Sequence, residues 1–243
     1  KSTKKREKHM KFIAGNWKMN GSRGALKTMV DALRDIETDN TIVLCVPYTM
    51  LGIDGGRASM GAQDVSPHTK GAFTGEVSAE MLQEAGAKYV IVGHSERRQY
   101  HGETNAIVRE KAAAAIAAGL TPIICVGETM DEKQAGKTMA VIESGVRESV
   151  PENTNGKIVI AYEPRWAIGA GLTPTSAEIA EAHTLIANTL HNMGIGGTPV
   201  LYGASVKGNN AAEIMSIPNV DGVLVGGASL KPDDFIPIIT SVK

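Results

Sequence analysis

The sequence predicts an α/β fold in which eight parallel strands, each followed by a helical segment, close into a barrel. Two observations lead there. Eight short apolar runs recur along the 243 residues. Between them lie segments whose apolar residues repeat at three- and four-residue steps. The length suits a closed barrel of eight such units. A doubly wound open sheet is the structural alternative.

In chain order the runs are Lys11–Gly15, Thr41–Val46, Ala58–Ala62, Tyr89–Gly93, Pro122–Val126, Lys157–Ala161, Pro199–Tyr202 and Gly222–Val225. Most are rich in Val and Ile and nearly continuous, as strands buried on both faces of a parallel sheet must be. The third, ASMGA, is the weakest. The clearest helix is predicted over 175–192. Thr175 precedes Glu178 by three residues, a capping box, and Ile179, Ala182, Ile186 and Leu190 form one stripe. A second helix is predicted over Glu103–Ala118, with Gly119 ending it. Alternating strands and helices imply right-handed crossovers.

Hydrophobic residues make up 42% of the chain and charged residues 21%, ordinary for a globular domain with a large core. The net charge of −1 gives no field to attract nucleic acid or an acidic membrane. Residues 1–9 hold five of the 25 basic side chains and one of the 26 acidic ones. They read as a basic leader, disordered or added to the protein, and residues 10–243 as one barrel domain. Cys45 and Cys125 lie inside apolar runs, which suits buried free thiols rather than a disulfide or metal site. Reduced thiols, no signal peptide and no bilayer-length apolar stretch lead us to expect a cytoplasmic protein.

In such a barrel the chemistry sits just past the C-terminal end of each strand. Lys18 follows the first run, in Asn16-Trp17-Lys18-Met19-Asn20. Most lysines are merely exposed, but a fixed cation there would also attract a phosphate or a developing oxyanion. His94 follows the fourth run and opens a predicted helix, whose N-terminus disfavours the imidazolium and favours a neutral donor. Glu96, Arg97 and Arg98 beside it read as ion-pairing scaffold. Glu163 closes the sixth run. It is either a solvated rim carboxylate or a general base whose pKa is raised by apolar neighbours. The segment Pro164–Thr175 combines a stiff proline with Gly169 and Gly171, a static loop or a closing lid. Glycine-bearing turns at Gly203-Ala204-Ser205 and Gly226-Gly227-Ala228 follow the last two runs, where barrels bind phosphate on backbone N–H groups.

Taken together, GNWKMNG, GAFTGEVS, GHSERR, AYEPRWAIGAG, YGASV and VGGASL resemble the triosephosphate isomerase family, in its order, over essentially the whole chain after Met10. The resemblance implies a TIM barrel that interconverts dihydroxyacetone phosphate and D-glyceraldehyde 3-phosphate in glycolysis and gluconeogenesis, with no cofactor and no metal. It also implies roles already established for that family. Glu163 is the base moving a proton between carbons. His94 is the neutral electrophile, and Lys18 with Asn16 the electrostatic partner of substrate. Gly169, Ser205, Gly226 and Gly227 hold the phosphate, and Glu96 is a supporting acid. Thr74 is the tip of a loop that inserts into the second subunit of a homodimer.

The sequence departs from the family pattern at Arg165, Ala170 and Leu172, where Val, Thr and Lys are usual, and at Ala204, where a second glycine is. Arg165 is expected to lie outward in solvent, because burying it unpaired is costly. Three other readings make different demands. A Schiff-base aldolase wants a lysine inside a strand, whereas Lys18 lies past one. A non-catalytic binding barrel has no reason to carry Glu163, His94 and Lys18 at three strand ends. A nucleic-acid module would rely on residues 1–9.

Overall fold

In a computed structural model, residues 10–154, 157–168 and 172–242 are described. Eight parallel strands pair in sequence order: β1 (Phe12–Asn16), β2 (Thr41–Cys45), β3 (Ser59–Ala62), β4 (Tyr89–Val92), β5 (Thr121–Val126), β6 (Val159–Tyr162), β7 (Val200–Tyr202) and β8 (Gly222–Val225). The ring closes where Phe12, Ile13, Ala14 and Gly15 of β1 pair with Gly222, Val223, Leu224 and Val225 of β8. That pairing rules out the open, doubly wound sheet. Every predicted run is a strand. The largest shift is in the sixth, predicted from Lys157 and beginning at Val159.

Side chains on successive residues of a strand point to opposite faces, and the two faces form two cores. Inside the barrel, Phe12, Ala14, Val43, Cys45, Ile91, Ile123, Cys125, Val159, Ala161, Leu201 and Leu224 fill the bore. Outward neighbours such as Ile13, Leu44, Val92, Ile124, Ile160, Tyr202 and Val223 pack under the helices. The third run looks weak for a packing reason. A Cβ at Gly61 would stand 2.7 Å from Cys45 Sγ, so the bore has no room for one there. Both thiols are free and buried, and burial pushes Cys45 up to about 12, leaving it protonated.

The helices are α1 (Arg23–Leu33), α2 (Ala79–Glu84), α3 (Ser95–His101), α4 (Asn105–Ala117), α5 (Met130–Gln134), α6 (Thr138–Ser149), α7 (Ser176–Asn192), α8 (Ala211–Ser216) and α9 (Pro232–Ile239). Helix α7 has the predicted bounds, stripe and capping box: Thr175 Oγ1 accepts from the Glu178 N–H, and the Glu178 carboxylate from the Thr175 N–H. The helix predicted from Glu103 starts at Asn105, because Thr104 accepts from the Ile107 N–H and is the cap. The helical segment expected after the second strand is only a short 3-10 turn, Tyr48–Met50. Among the described residues no helix is long and apolar enough to cross a membrane. The basic leader at 1–9, Gly169, Ala170 and Gly171 lie outside the described residues.

Candidate active site

Five strand ends meet at one mouth of the barrel. Asn16 ends β1, and its Oδ1 accepts from the Lys18 N–H at 3.0 Å. That contact fixes a turn in which Lys18 adopts a left-handed φ of 53°. The turn sends the lysine back across the mouth, where Nζ meets Glu96 Oε1 at 2.5 Å. Gly226, past β8, lies beside it: a Cβ there would be 3.6 Å from Lys18 Cε.

His94 follows β4 and caps α3 with its ring. Nδ1 accepts from the Glu96 N–H at 3.2 Å. A ring nitrogen that accepts carries no proton, so the neutral imidazole holds its hydrogen on Nε2. That atom lies 3.0 Å from Glu163 Oε1. The other carboxylate oxygen, Oε2, accepts from the Ser95 N–H at 3.0 Å. Glu163, only 3% exposed, therefore has both oxygens occupied by donors from one helix start.

These contacts reverse one expectation. Burial does push the Glu163 carboxyl up, but His94, the Ser95 N–H and Lys18 outweigh it and hold the group below its ordinary value. For His94, burial lowers the pKa while the Glu163 carboxylate raises it, with a net rise. That rise depends on the carboxylate being there. Burial, Lys18 and the helix N-terminus favour the neutral ring, while Glu163 and then Glu96 favour the protonated one.

Behind Glu163 the chain leaves no slack. A Cβ on Gly127 would fall 1.8 Å from the Glu163 carbonyl oxygen, and one on Gly203 would stand 3.0 Å from Glu163 Cγ. Gly127 and Glu128 were not singled out in the sequence, although they follow the fifth apolar run as directly as the chosen residues follow theirs. Glu128 is fully buried. It accepts from Trp166 Nε1 at 2.7 Å and Tyr162 Oη at 3.3 Å, and its carbonyl accepts from the Arg165 N–H.

A cavity of about 320 Å3 opens between these groups, lined among others by Asn16, Lys18, His94, Glu163, Ser205 and Gly226. Gly227 also faces it and starts a 3-10 turn ending at Ser229, whose first N–H groups lack intrahelical partners. Lys207 lines the wall as well and had not been anticipated. The structure thus brings together Asn16, Lys18, His94, Glu163, Ser205, Gly226 and Gly227, with Glu96 touching Lys18. Thr74 stands apart, on an exposed loop. Among the described residues no cluster of three or more His, Cys, Asp or Glu is placed to hold a metal ion.

Arg97 and Arg98 are scaffold. Arg97 and Lys111 both pair with Asp64 and Glu103, and Arg98 holds the carbonyls of Gly93 and Cys125. Arg165 does not lie out in solvent as expected. It is half-buried beside a cavity of about 200 Å3 that it lines with Arg98, Asn105, Glu132 and Ser144. Those residues come from elements far from it in sequence, so a recess at this position is invisible locally.

Comparison with known proteins agrees with this geometry. The family model described as triosephosphate isomerase matches residues 11–242. The chain belongs to the triosephosphate isomerase family. It is 48% identical to the triosephosphate isomerase of Xanthobacter flavus, over 95% of this chain and 97% of that one. It is also 48% identical to that of Hyphomonas neptunium, over 93% and 96%. The crystal structure of triosephosphate isomerase from Bartonella henselae superposes with a TM-score of 0.86 at 42% identity, covering 95% of this chain and 98% of that one. As a triosephosphate isomerase, the chain is an aldose–ketose isomerase acting on a triose phosphate, and it interconverts dihydroxyacetone phosphate and D-glyceraldehyde 3-phosphate.

Proposed function

We propose that Glu163 is the base of this isomerisation, His94 the proton donor at oxygen, and Lys18 with Asn16 the electrostatic partner of the intermediate. What carries the reading is the contact set on Glu163: a buried carboxylate held by two N–H donors beside an ammonium. When substrate arrives, the carboxylate leaves those donors and its basicity rises, because burial is then opposed only by the more distant charge of Lys18. It takes a proton from C1 of dihydroxyacetone phosphate, and the C–H electrons form the C1–C2 double bond of an enediolate. His94 Nε2–H hydrogen-bonds O2 as charge grows there and moves a proton between O1 and O2. Glu163 then returns its proton to C2. Lys18 stabilises the negative oxygen throughout.

The phosphate would rest on the peptide groups of Ser205, Gly226 and Gly227, to which the family resemblance adds Gly169. Each role is filled by a side chain or a peptide group, so we expect the reaction to need no metal and no organic cofactor. Glu96 supports by holding Lys18. The segment Pro164–Thr175 would act as a lid that keeps water out and restrains the enediolate. Unrestrained, the C–O bond to phosphate breaks with its electron pair, and the remaining enol becomes a toxic dicarbonyl. Turnover of dihydroxyacetone phosphate in heavy water tests the base. The wild type should incorporate deuterium at carbon, Glu163→Gln should lose both exchange and isomerisation, and exchange at the parental rate would unseat Glu163.

We also propose a homodimer in the cytoplasm. Met19 is 95% exposed and Phe73 42%, an unusual outlay of apolar surface for a free monomer. A cavity of about 600 Å3 beside Lys18 and Glu96, also lined by Met19, Tyr48, Gln63 and Tyr100, would receive the Thr74 loop of a second copy. Sedimentation should give a dimer at micromolar concentration, and a fully active monomer would refute the arrangement. Two buried, reduced thiols suit a reducing compartment.

A further inference from the structure

Helix α5 is five residues long, yet both ends are fixed. Thr129 and Glu132 form a capping box at its start, and Gly136 turns the chain away with a φ of 69° at its end. Lys133 projects from this platform and meets two separate pieces of chain. Its ammonium stands 3.9 Å from the centroid of the Trp166 ring. The same atom pairs with Glu178 Oε1 at 2.6 Å. Trp166 lies three residues past Glu163, and its indole N–H is already tied to Glu128. Glu178 uses its other oxygen, Oε2, to close the capping box that starts α7. Lys133 holds the Glu178 carboxyl down at about 2, the largest influence on that group.

We propose that Lys133 is a positioning residue that pins the chain leaving Glu163 to the start of α7. This rests on the reading of Glu163 as the base and of the cavity beside it as the substrate site. The chain between the two pinned points carries Ile168, which lines that cavity. Glu163 itself is held independently, by Ser95, His94, Gly127 and Gly203. Losing Lys133 should therefore loosen the cavity wall more than it displaces the base, and weaken substrate binding more than the chemical step. A cation over an indole and a half-exposed ion pair are each modest contacts, but here one atom makes both.

Lys133→Met keeps the stem and removes the charge, while Lys133→Arg returns both contacts. With dihydroxyacetone phosphate, we expect Lys133→Met to raise KM about three- to tenfold with kcat within about threefold, and Lys133→Arg to restore KM to within about twofold. Trp166 emission should change in the Met variant and recover in the Arg variant. Glu178→Gln, which breaks the ion pair from the other side, should raise KM in the same direction, and it serves as the test if Lys133→Met fails to fold. Unchanged KM in Lys133→Met or its stand-in would overturn the proposal, as would an Arg variant no better than Met. Glu163→Gln is assayed alongside. If it stays active, the base reading fails; if it is crippled while Lys133→Met keeps its KM, only the role of Lys133 fails.

Discussion

Replacing Glu163 by glutamine changes one atom type and so isolates the proton transfer. The carboxylate accepts from His94 Nε2 and from the Ser95 N–H, each at 3.0 Å. A glutamine offers one oxygen and one NH2, so one donor must face another donor. The imidazole cannot shift its proton to relieve this, because Nδ1 is already accepting from the Glu96 N–H. A buried donor left unpaired costs about 1–3 kcal/mol. In a domain of this size that is a Tm drop of about 2 to 12 °C, partly offset because a buried charge has been removed. The fold should survive. Activity should not: losing a general base costs about 10²- to 10⁴-fold, or about 3 to 5 kcal/mol of barrier. Glu163→Asp keeps the charge but draws it back by a methylene, and a displacement of that order costs about 10²-fold. The assay is kcat/KM with each triose phosphate, with circular dichroism to check the fold. A folded Glu163→Gln variant within tenfold of the parent would mean that another group takes the proton.

Other outcomes follow from the same geometry. His183 is buried between Tyr162 and Tyr202, with Nδ1 on the Asn219 carbonyl, and burial lowers its pKa from 6.5 to about 4. The unfolded chain therefore binds a proton that the fold refuses. The neutral ring's contribution is intact above pH 6.5 and lost as pH falls toward about 4, up to about 3 kcal/mol in all. Urea unfolding at pH 7.5 and pH 5 should show that fall in the parent and much less of it in His183→Phe. Activity should persist in excess chelator, and a loss restored by added metal would contradict the cofactor-free scheme. Deleting Ile168–Leu172 should cripple isomerisation and raise the share of free phosphate released. Arg165→Val, which alters a side chain that lines a different cavity, should change the rate by less than tenfold. A deletion that isomerises normally without extra phosphate would show that this segment is no lid.

How much of this was legible in the sequence depended on how local each cause is. Strands buried on both faces announce themselves as Val- and Ile-rich runs, so all eight could be read and their ends pointed to Lys18, His94 and Glu163. The Thr175–Glu178 box is local too, and α7 starts where it predicts. Causes spread along the chain left no such trace. Gly61 looks like a poor strand residue until Cys45 is seen opposite it. Arg165 looks destined for solvent until residues near 98, 105, 132 and 144 form a recess. The lowered pKa of Glu163 needed a helix start 68 residues away, and apolar neighbours in sequence suggested the reverse. Gly127, Glu128 and Lys133 gain their meaning only from what folds against Glu163 and Trp166.

The cap of α3 has a consequence for anyone redesigning this protein. Helices prefer Asn, Asp, Ser or Thr at the position His94 fills, since a short side-chain oxygen reaches the first N–H groups with less strain. A design that scored only the helix cap would make that exchange, and would strip Glu163 of one of its two donors. The gain would come from the very nitrogen that settles which side of the ring carries the hydrogen. On the role proposed for His94, helix capping and turnover compete here for a single lone pair, and a search for hardier variants should keep position 94 out of its library.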